Sequence, residues 1–314
     1  MGYQDKSQRT GTTLYSEVTD RIIAQLEAGT LPWVKPWDDG RAPLGLPRNG
    51  QSGRCYSGIN VLILWHTLFE RRFRSQRWVT YRQAVAMGGN VRKGEHGTTV
   101  CYADKFIPKR NEGQPDRNAE EPRPIAFLKR FTVFNLDQCE GLEPEEAGQS
   151  VTNNEAVIIP RAQMLIEASG ADLRIGGDEA YYAPAFDHIV VPPPEIYFEP
   201  INWYRTALHE LGHWTGHPTR LDRLPKTSFG SPEYAREELV AEMASAFLCA
   251  ELGIIPTVRH ADYLGAWLSV LREDSRAIFR AASRASKAAE YLLNFLRPID
   301  AAEQSIAQEG RLAA

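Results

Sequence analysis

Cysteine is scarce, with four in 314 residues, and Cys55, Cys101, Cys139 and Cys249 stand nowhere at CxxC spacing. That excludes a zinc ribbon and a small disulfide-stapled scaffold and points to a reducing compartment. Long hydrophobic runs are missing too. No stretch approaches roughly 18 apolar residues, and Met1-Gly2-Tyr3-Gln4-Asp5-Lys6 has no apolar signal core. Membrane insertion and secretion are therefore not expected, and a cytoplasmic location is. The sequence has no internal repeat, which sets aside solenoids and propellers.

What the chain does have is 43% apolar residues, enough for two cores, and a net charge of −4 that hides a polarity. Residues 1–150 hold 21 Lys and Arg against 18 Asp and Glu, and residues 151–314 hold 15 against 22, so the halves carry +3 and −7. Between Arg41 and Phe134 the balance is 17 to 7, a net +10 over 94 residues. Such a concentration is the footprint of a polyanion-binding module.

The run His209-Glu210-Leu211-Gly212-His213 carries the chemistry. On a helix, histidines four apart lie one above the other and can hold one metal ion, while Glu210, offset by roughly 100°, reaches toward a water without being a ligand. The flanks support a helix: residues 201–208 contain neither Pro nor Gly, Trp203, Ala207, Leu208 and Leu211 recur at helical steps, and Gly216 and Pro218 close the segment.

A third ligand is needed, and three places offer one. Thr219 stands where the longer HExxHxxGxxH pattern requires histidine. His217 follows His213 by one turn but sits between helix breakers. The helical, mostly apolar stretch 234–248 carries Glu238 and Glu242 on one face, where an unpaired carboxylate would be costly to desolvate. Glu238 is taken as the third ligand and Glu242 as the partner of a histidine ring, with the reverse assignment open. Two imidazoles and a carboxylate leave a position for water, which Glu210 can deprotonate for attack on a carbonyl, an amide bond first among the candidates. Zinc is the first-choice divalent ion for that set and manganese the second.

Helices are expected over 14–28, 57–74, 78–87, from 201 through His213 to the break at Gly216, and over 234–248, 263–271 and 274–296. Strands are expected over 98–106, 125–134, 179–184 and 186–191. The last two, each ended by proline, precede the metal helix, where an edge strand could hold a substrate by backbone pairing. His188 reads as an ordinary strand histidine, and Tyr181, Tyr182 and Tyr204 could each donate to an oxyanion. Residues 109–124 read as a polar loop and the acidic stretch 141–154 as a linker. The expected domains are therefore 1–140 and 155–314 in an α+β fold.

In the first domain aromatic and basic residues interleave. Lys35, Trp37, Arg54, Tyr56, Arg92, Lys93, Lys129 and Arg130 are the candidate nucleic-acid contacts, with cations for phosphates and rings for bases. Two functions fit: a metallopeptidase targeted to nucleic acid, or a nucleic-acid-binding protein whose metal site is structural or inactive and which acts by coating DNA.

Four segments together resemble the ArdC family of plasmid antirestriction proteins: Leu14-Tyr15-Ser16-Glu17-Val18-Thr19-Asp20-Arg21-Ile22-Ile23, Pro32-Trp33-Val34-Lys35-Pro36-Trp37, Tyr56-Ser57-Gly58-Ile59-Asn60, and His209 through His217 with Thr219-Arg220-Leu221-Asp222-Arg223. The first domain is also similar to the DNA-binding part of plasmid TraC primases, and the second to zincin-like metallopeptidases. The resemblance implies an N-terminal single-stranded-DNA-binding domain and a C-terminal zincin-like domain carrying the HExxH helix. It implies a role in conjugation, protecting incoming single-stranded DNA from the recipient's restriction enzymes. Double-stranded DNA would be a further partner, and a DNA-bound host protein the peptidase substrate. The family's HExxH carries onto His209, Glu210 and His213, and its downstream carboxylate onto the segment from Glu238 to Glu242.

Overall fold

The computed structural model describes residues 13–34, 43–106, 125–142, 159–224, 230–256 and 263–299. The first half runs α1 (Leu14–Glu27), β1 (Arg48–Asn49), α2 (Ile59–Glu70), β2 (Arg77–Val79), α3 (Tyr81–Ala86), β3 (Asn90–Val91), β4 (Thr98–Phe106), β5 (Ile125–Asn135) and β6 (Cys139–Glu140). The second runs α4 (Pro160–Ser169), β7 (Asp172–Ile175), β8 (Tyr181–Ala183), β9 (His188–Val191), α5 (Ile201–Trp214), α6 (Pro232–Glu251), α7 (Leu264–Glu273) and α8 (Ala277–Leu293). The expected positions Lys35 and Trp37, the loop 109–124 and most of the expected linker lie outside the described residues.

A four-stranded sheet has the order β1-β2-β5-β4, a small pair joins β3 to β6, and a three-stranded sheet has the order β7-β9-β8. The long antiparallel pair β4 and β5 runs in register from Thr98 opposite Val133 to Phe106 opposite Ile125. In the second sheet β9 pairs parallel to β7 and antiparallel to β8, which leaves β8 at the edge.

Two local expectations are corrected. The helix expected over 78–87 begins three residues late, because Trp78 and Val79 pair with Asn135 and Phe134 as a strand. Thr80 then opens the helix: its hydroxyl accepts from the Gln83 amide, and the Gln83 side chain accepts from the Thr80 amide, a reciprocal cap. The helix expected to run through Arg74 stops at Glu70, where Arg72 takes a positive φ of 56°. Arg71, Arg72 and Arg74 therefore leave the helix in a turn. β7 is a strand that periodicity did not reveal, being too short and too exposed to alternate.

One buried cluster runs through both halves of the chain. It joins Ile22 and Leu26 of α1 and Leu62 and Trp65 of α2 to Leu208 of α5, Phe247 of α6, Trp267 of α7 and Ala282 of α8. Trp65 meets Phe247 edge-to-face at 5.6 Å, and Trp33 meets Trp267 at 5.9 Å. α8 turns Ala281, Ala282, Ala285, Ala288 and Ala289 inward, small side chains that let it lie close against α6 and α2. α6 is covered on nearly every side, with Ala235 and all of 237–250 buried. All four cysteines are free thiols, and among the described residues no helix is long and apolar enough to cross a membrane.

Because Phe247 and Trp65 share one contact across the halves, Phe247→Ala should destabilise the protein by about 3–5 kcal/mol and lower the melting of both halves together. Calorimetry showing one half still melting at the wild-type temperature would refute a shared core.

Candidate metal centre

α5 places His209 and His213 one turn apart on the side facing α6, both in a helix whose other face is packed against the core. Gly212 between them favours close packing: a Cβ there would lie 3.3 Å from the Ala241 Cα of α6, so a larger residue would push the two helices slightly apart. That close approach brings the carboxylates of α6 within reach of the histidines. α6 itself is opened by Ser231, whose hydroxyl accepts from the Tyr234 amide at 3.1 Å, with Pro232 in its first turn.

Between the helices three side chains converge. His209 Nε2 lies 3.2 Å from His213 Nε2, 3.5 Å separates His209 Nε2 from one Glu238 oxygen, and 3.4 Å separates His213 Nε2 from the other. One ligand atom from each of the three residues falls within 4.8 Å of the others. The outer ring nitrogens face carboxylates as well, His209 Nδ1 at 3.3 Å from Glu242 and His213 Nδ1 at 3.3 Å from Glu237. With ring protons on the Nδ1 atoms, the two Nε2 lone pairs and the Glu238 carboxylate all point at one space. A divalent cation relieves that repulsion, and an N2O donor set suits it.

In the metal-free protein protons take that role. Burial pushes both imidazoles down, but the carboxylates outweigh it: hydrogen bonds to Glu238 and Glu242 hold His209 up at about 9, and Glu238 with Glu237 holds His213 up at about 10. Burial likewise pushes the Glu238 carboxyl up, and the charge and hydrogen bonds of His213 and His209 reverse this and hold it well below the usual carboxylate range.

Two arginines from the turn after α5 brace the centre. Arg223 donates to both Glu237 oxygens, at 2.9 and 3.2 Å, to the Thr215 hydroxyl at 2.6 Å, and to the Gly212 carbonyl. Both side chains of the Arg223–Glu237 pair are 5% exposed, so removing either would strand a buried charge. Arg220 stacks on the Trp214 ring at 3.9 Å and donates to Asp187 at 3.0 Å and to the Tyr182 hydroxyl at 3.2 Å, which ties the turn after β8 to the end of α5. The sequence alone assigns no role to Arg220, Arg223 or Glu237. Nothing in the spacing links residue 223 to residue 237; their contact exists only in the folded chain.

The centre opens on a cleft of about 750 Å³. Glu210, 5% exposed, lines it with His209, His213, His217 and Glu238, and the edge strand β8 forms the opposite wall through Tyr181 and Tyr182. Of the three tyrosines considered as donors, Tyr204 turns its hydroxyl to Gln163 and Tyr182 donates to Asp187 at 2.7 Å, while Tyr181 stays exposed on the edge. Tyr234 and Tyr263, which sequence reasoning missed, also line the cleft. Burial and hydrogen bonds with Tyr263 and Glu238 hold the Tyr234 phenol above the ordinary tyrosine range. Tyr234 precedes Glu238 by one helical turn, a spacing that could have found it. His217 lines the cleft but bonds to Thr219 at 2.8 Å, and His188 sits between the rings of Tyr181 and Phe186.

The described nucleic-acid candidates differ in what engages them. Arg54 is exposed and lines a cavity with Tyr56 beside α8. Lys129 and Arg130, adjacent on β5, point to opposite faces, and Arg130 pairs with Glu17 at 3.2 Å. Lys93 is exposed, whereas the Arg92 guanidinium is engaged by Glu95 at 3.0 Å and by the carbonyls of Asp137 and Cys139.

Comparison with known proteins places these observations. Residues 160–284 match the family model of a zincin-like metallopeptidase, and residues 12–134 match that of the N-terminal domain of the anti-restriction factor ArdC. A DNA primase TraC of Escherichia coli is 41% identical over 90% of this chain, which spans 27% of that relative's length. The metal-free crystal structure of the antirestriction protein ArdC from plasmid R388 superposes with a TM-score of 0.75 at 42% identity, covering 90% of this chain and 97% of that one. The Mn(II)-bound structure of the same protein gives 0.72 at 41%, covering 91% and 98%. With both of its parts matched and a relative this similar covered almost end to end, the chain belongs to the ArdC family of antirestriction proteins.

Proposed function

We propose that this chain protects incoming plasmid DNA from host restriction in the cytoplasm during conjugation, binding it as a single strand and hydrolysing a peptide bond of a protein substrate. The observation that carries the peptidase reading is the set of His209, His213 and Glu238 lone pairs facing a cleft that also holds Glu210 and an edge strand. A divalent ion held by those three residues supplies Lewis acidity, making water more acidic and polarising a carbonyl. Zinc fits two imidazoles and one carboxylate best, and manganese is the second choice, since the R388 relative has a Mn(II)-bound structure.

The chain's own residues supply the rest. An extended peptide laid along β8 adds a strand to the sheet, so its backbone is aligned by pairing before chemistry begins. Glu210, too buried to be rinsed by bulk water, accepts the proton of the attacking water and returns it to the leaving amide nitrogen. Glu242 and Glu237 hold the ring protons of His209 and His213 on Nδ1, and Arg223 holds Glu237. Tyr234, one turn before Glu238 on α6, donates to its carboxylate and holds it in place. The basic first half, +10 between Arg41 and Phe134, supports the nucleic-acid reading.

Glu210→Gln should abolish proteolysis and antirestriction together while metal content and DNA affinity stay at wild-type levels. Protection that persists in this variant would leave coating of the strand as the whole mechanism. Metal analysis separates the glutamates: Glu238→Gln should leave the protein nearly metal-free, and Glu242→Gln should weaken affinity by about 10- to 100-fold. Full occupancy in Glu238→Gln contradicts its assignment as a ligand. Finally, both histidines must shed protons to bind metal. Their pairing with the carboxylates is complete below 6.5 and is lost as pH rises through about 9 to 10. Metal affinity should therefore fall as pH drops from about 9 to 6.5; a flat titration would rule out proton displacement.

A further inference from the structure

Residues 151–314 are acidic, with 15 Lys and Arg against 22 Asp and Glu, yet four of those cations line one side of α8. Arg276, Arg280, Arg284 and Lys287 follow at steps of four, four and three, and all four are exposed. Arg280 pairs with Asp274, and Arg276 lies 5.0 Å over the Tyr15 ring. Among the described residues, Arg284 and Lys287 have no carboxylate partner.

These side chains form one wall of a cavity of about 850 Å³ whose other wall belongs to the first half of the chain. Tyr102 of β4 stands on that wall, 51% exposed, with its ring 6.1 Å from that of Phe131, itself 46% exposed. The sheet edge beside it is closed by Asn60, which bonds to both the amide and the carbonyl of Cys101. The start of α2 is held against α8 by a bond of 2.7 Å from the Gly58 amide to the Ser286 hydroxyl, so the positive end of that helix dipole adds to the field.

A second cavity, of about 700 Å³, shares Ser57, Ser286 and Glu290 with the first and continues the trough along α8. Arg54, Tyr56, Arg161 and Arg297 line this part, against the carboxylates of Glu251 and Glu290. Glu251 is already occupied by Arg48 at 2.8 Å. α8 has 17 residues, so the trough runs for about 25 Å, the reach of about four nucleotides and the lower end of known single-strand sites.

We propose that single-stranded nucleic acid lies in this trough, its phosphates against Arg284 and Lys287 and its bases stacked on Tyr102, so that both halves of the chain grip the strand. This rests on the single-strand-binding reading above and gives it a composite site. Cations on one wall and the exposed Tyr102 ring on the other match an unpaired strand; a duplex hides its base faces, and an acidic peptide offers nothing for Tyr102 to stack on.

The test uses the full, metal-loaded protein and a fluorescent oligothymidylate, with affinity measured by anisotropy across a salt series. Arg284→Glu combined with Lys287→Glu should lower affinity by more than about tenfold and flatten the dependence of log K on log salt by about one or more. Tyr102→Ala should lower affinity by about tenfold. Arg174→Glu, a single charge reversal on β7 away from the trough, should bind like wild type, and all variants should keep their metal. A double variant that binds with wild-type affinity and salt slope overturns the proposal while leaving single-strand binding intact. Wild-type protein that fails to bind the oligonucleotide overturns both. A Tyr102→Ala variant without effect, or polyglutamate competing as well as an oligothymidylate of equal charge, reassigns the trough to acidic polymers in general and overturns the proposal.

Discussion

The structure turns on a buried charge problem. α5 and α6 bring two histidines and three glutamates into one largely buried seam beside the cleft, and any member left alone would be costly to desolvate. The arrangement is stable because every group faces an opposite partner: Glu238 faces both Nε2 atoms, Glu237 and Glu242 face the Nδ1 atoms, and Arg223 neutralises Glu237 from behind. A divalent cation held by His209, His213 and Glu238 would supply the same compensation. The seam is thus a fold element and a chemical site at once, and the glycine within the histidine pair favours the close approach of the helices that forms it.

The same packing has a consequence at the surface. Because α8 lies against both α6 and α2, the acidic second half presents a basic helix face beside the basic first half. The metal cleft and the cationic trough are lined by different residues, with α5, α6 and β8 around the first and α8, α2 and β4 around the second. A shared core between them, anchored by Trp65 on Phe247, holds the two surfaces in fixed relation.

Much of the site was readable from spacing. Histidines four apart in a run free of helix breakers had to share a face, and a carboxylate on an apolar helix had to find a partner, which singled out Glu238 and Glu242. Glu237, Arg223 and Tyr263 were not readable, since their roles depend on how close α5, α6 and the following turns pack. The helix expected at residue 78 failed for a related reason: Trp78 and Val79 suit a helix by period, but pairing with β5 captures them. Among the nucleic-acid candidates, a list of cations and rings could not tell Arg92, engaged with backbone carbonyls, from Arg54, exposed beside α8.

Chain order alone therefore established a helix with two aligned imidazoles and a carboxylate beside them, a later acidic helix to meet it, and a basic half set against an acidic one. These follow from periodicity and composition, which are local and need no partner. Packing alone established which oxygen meets which nitrogen, which arginine braces which glutamate, and that α8 of the acidic half stands against the basic half. Those facts rest on distances between residues far apart in the chain, which no local pattern encodes.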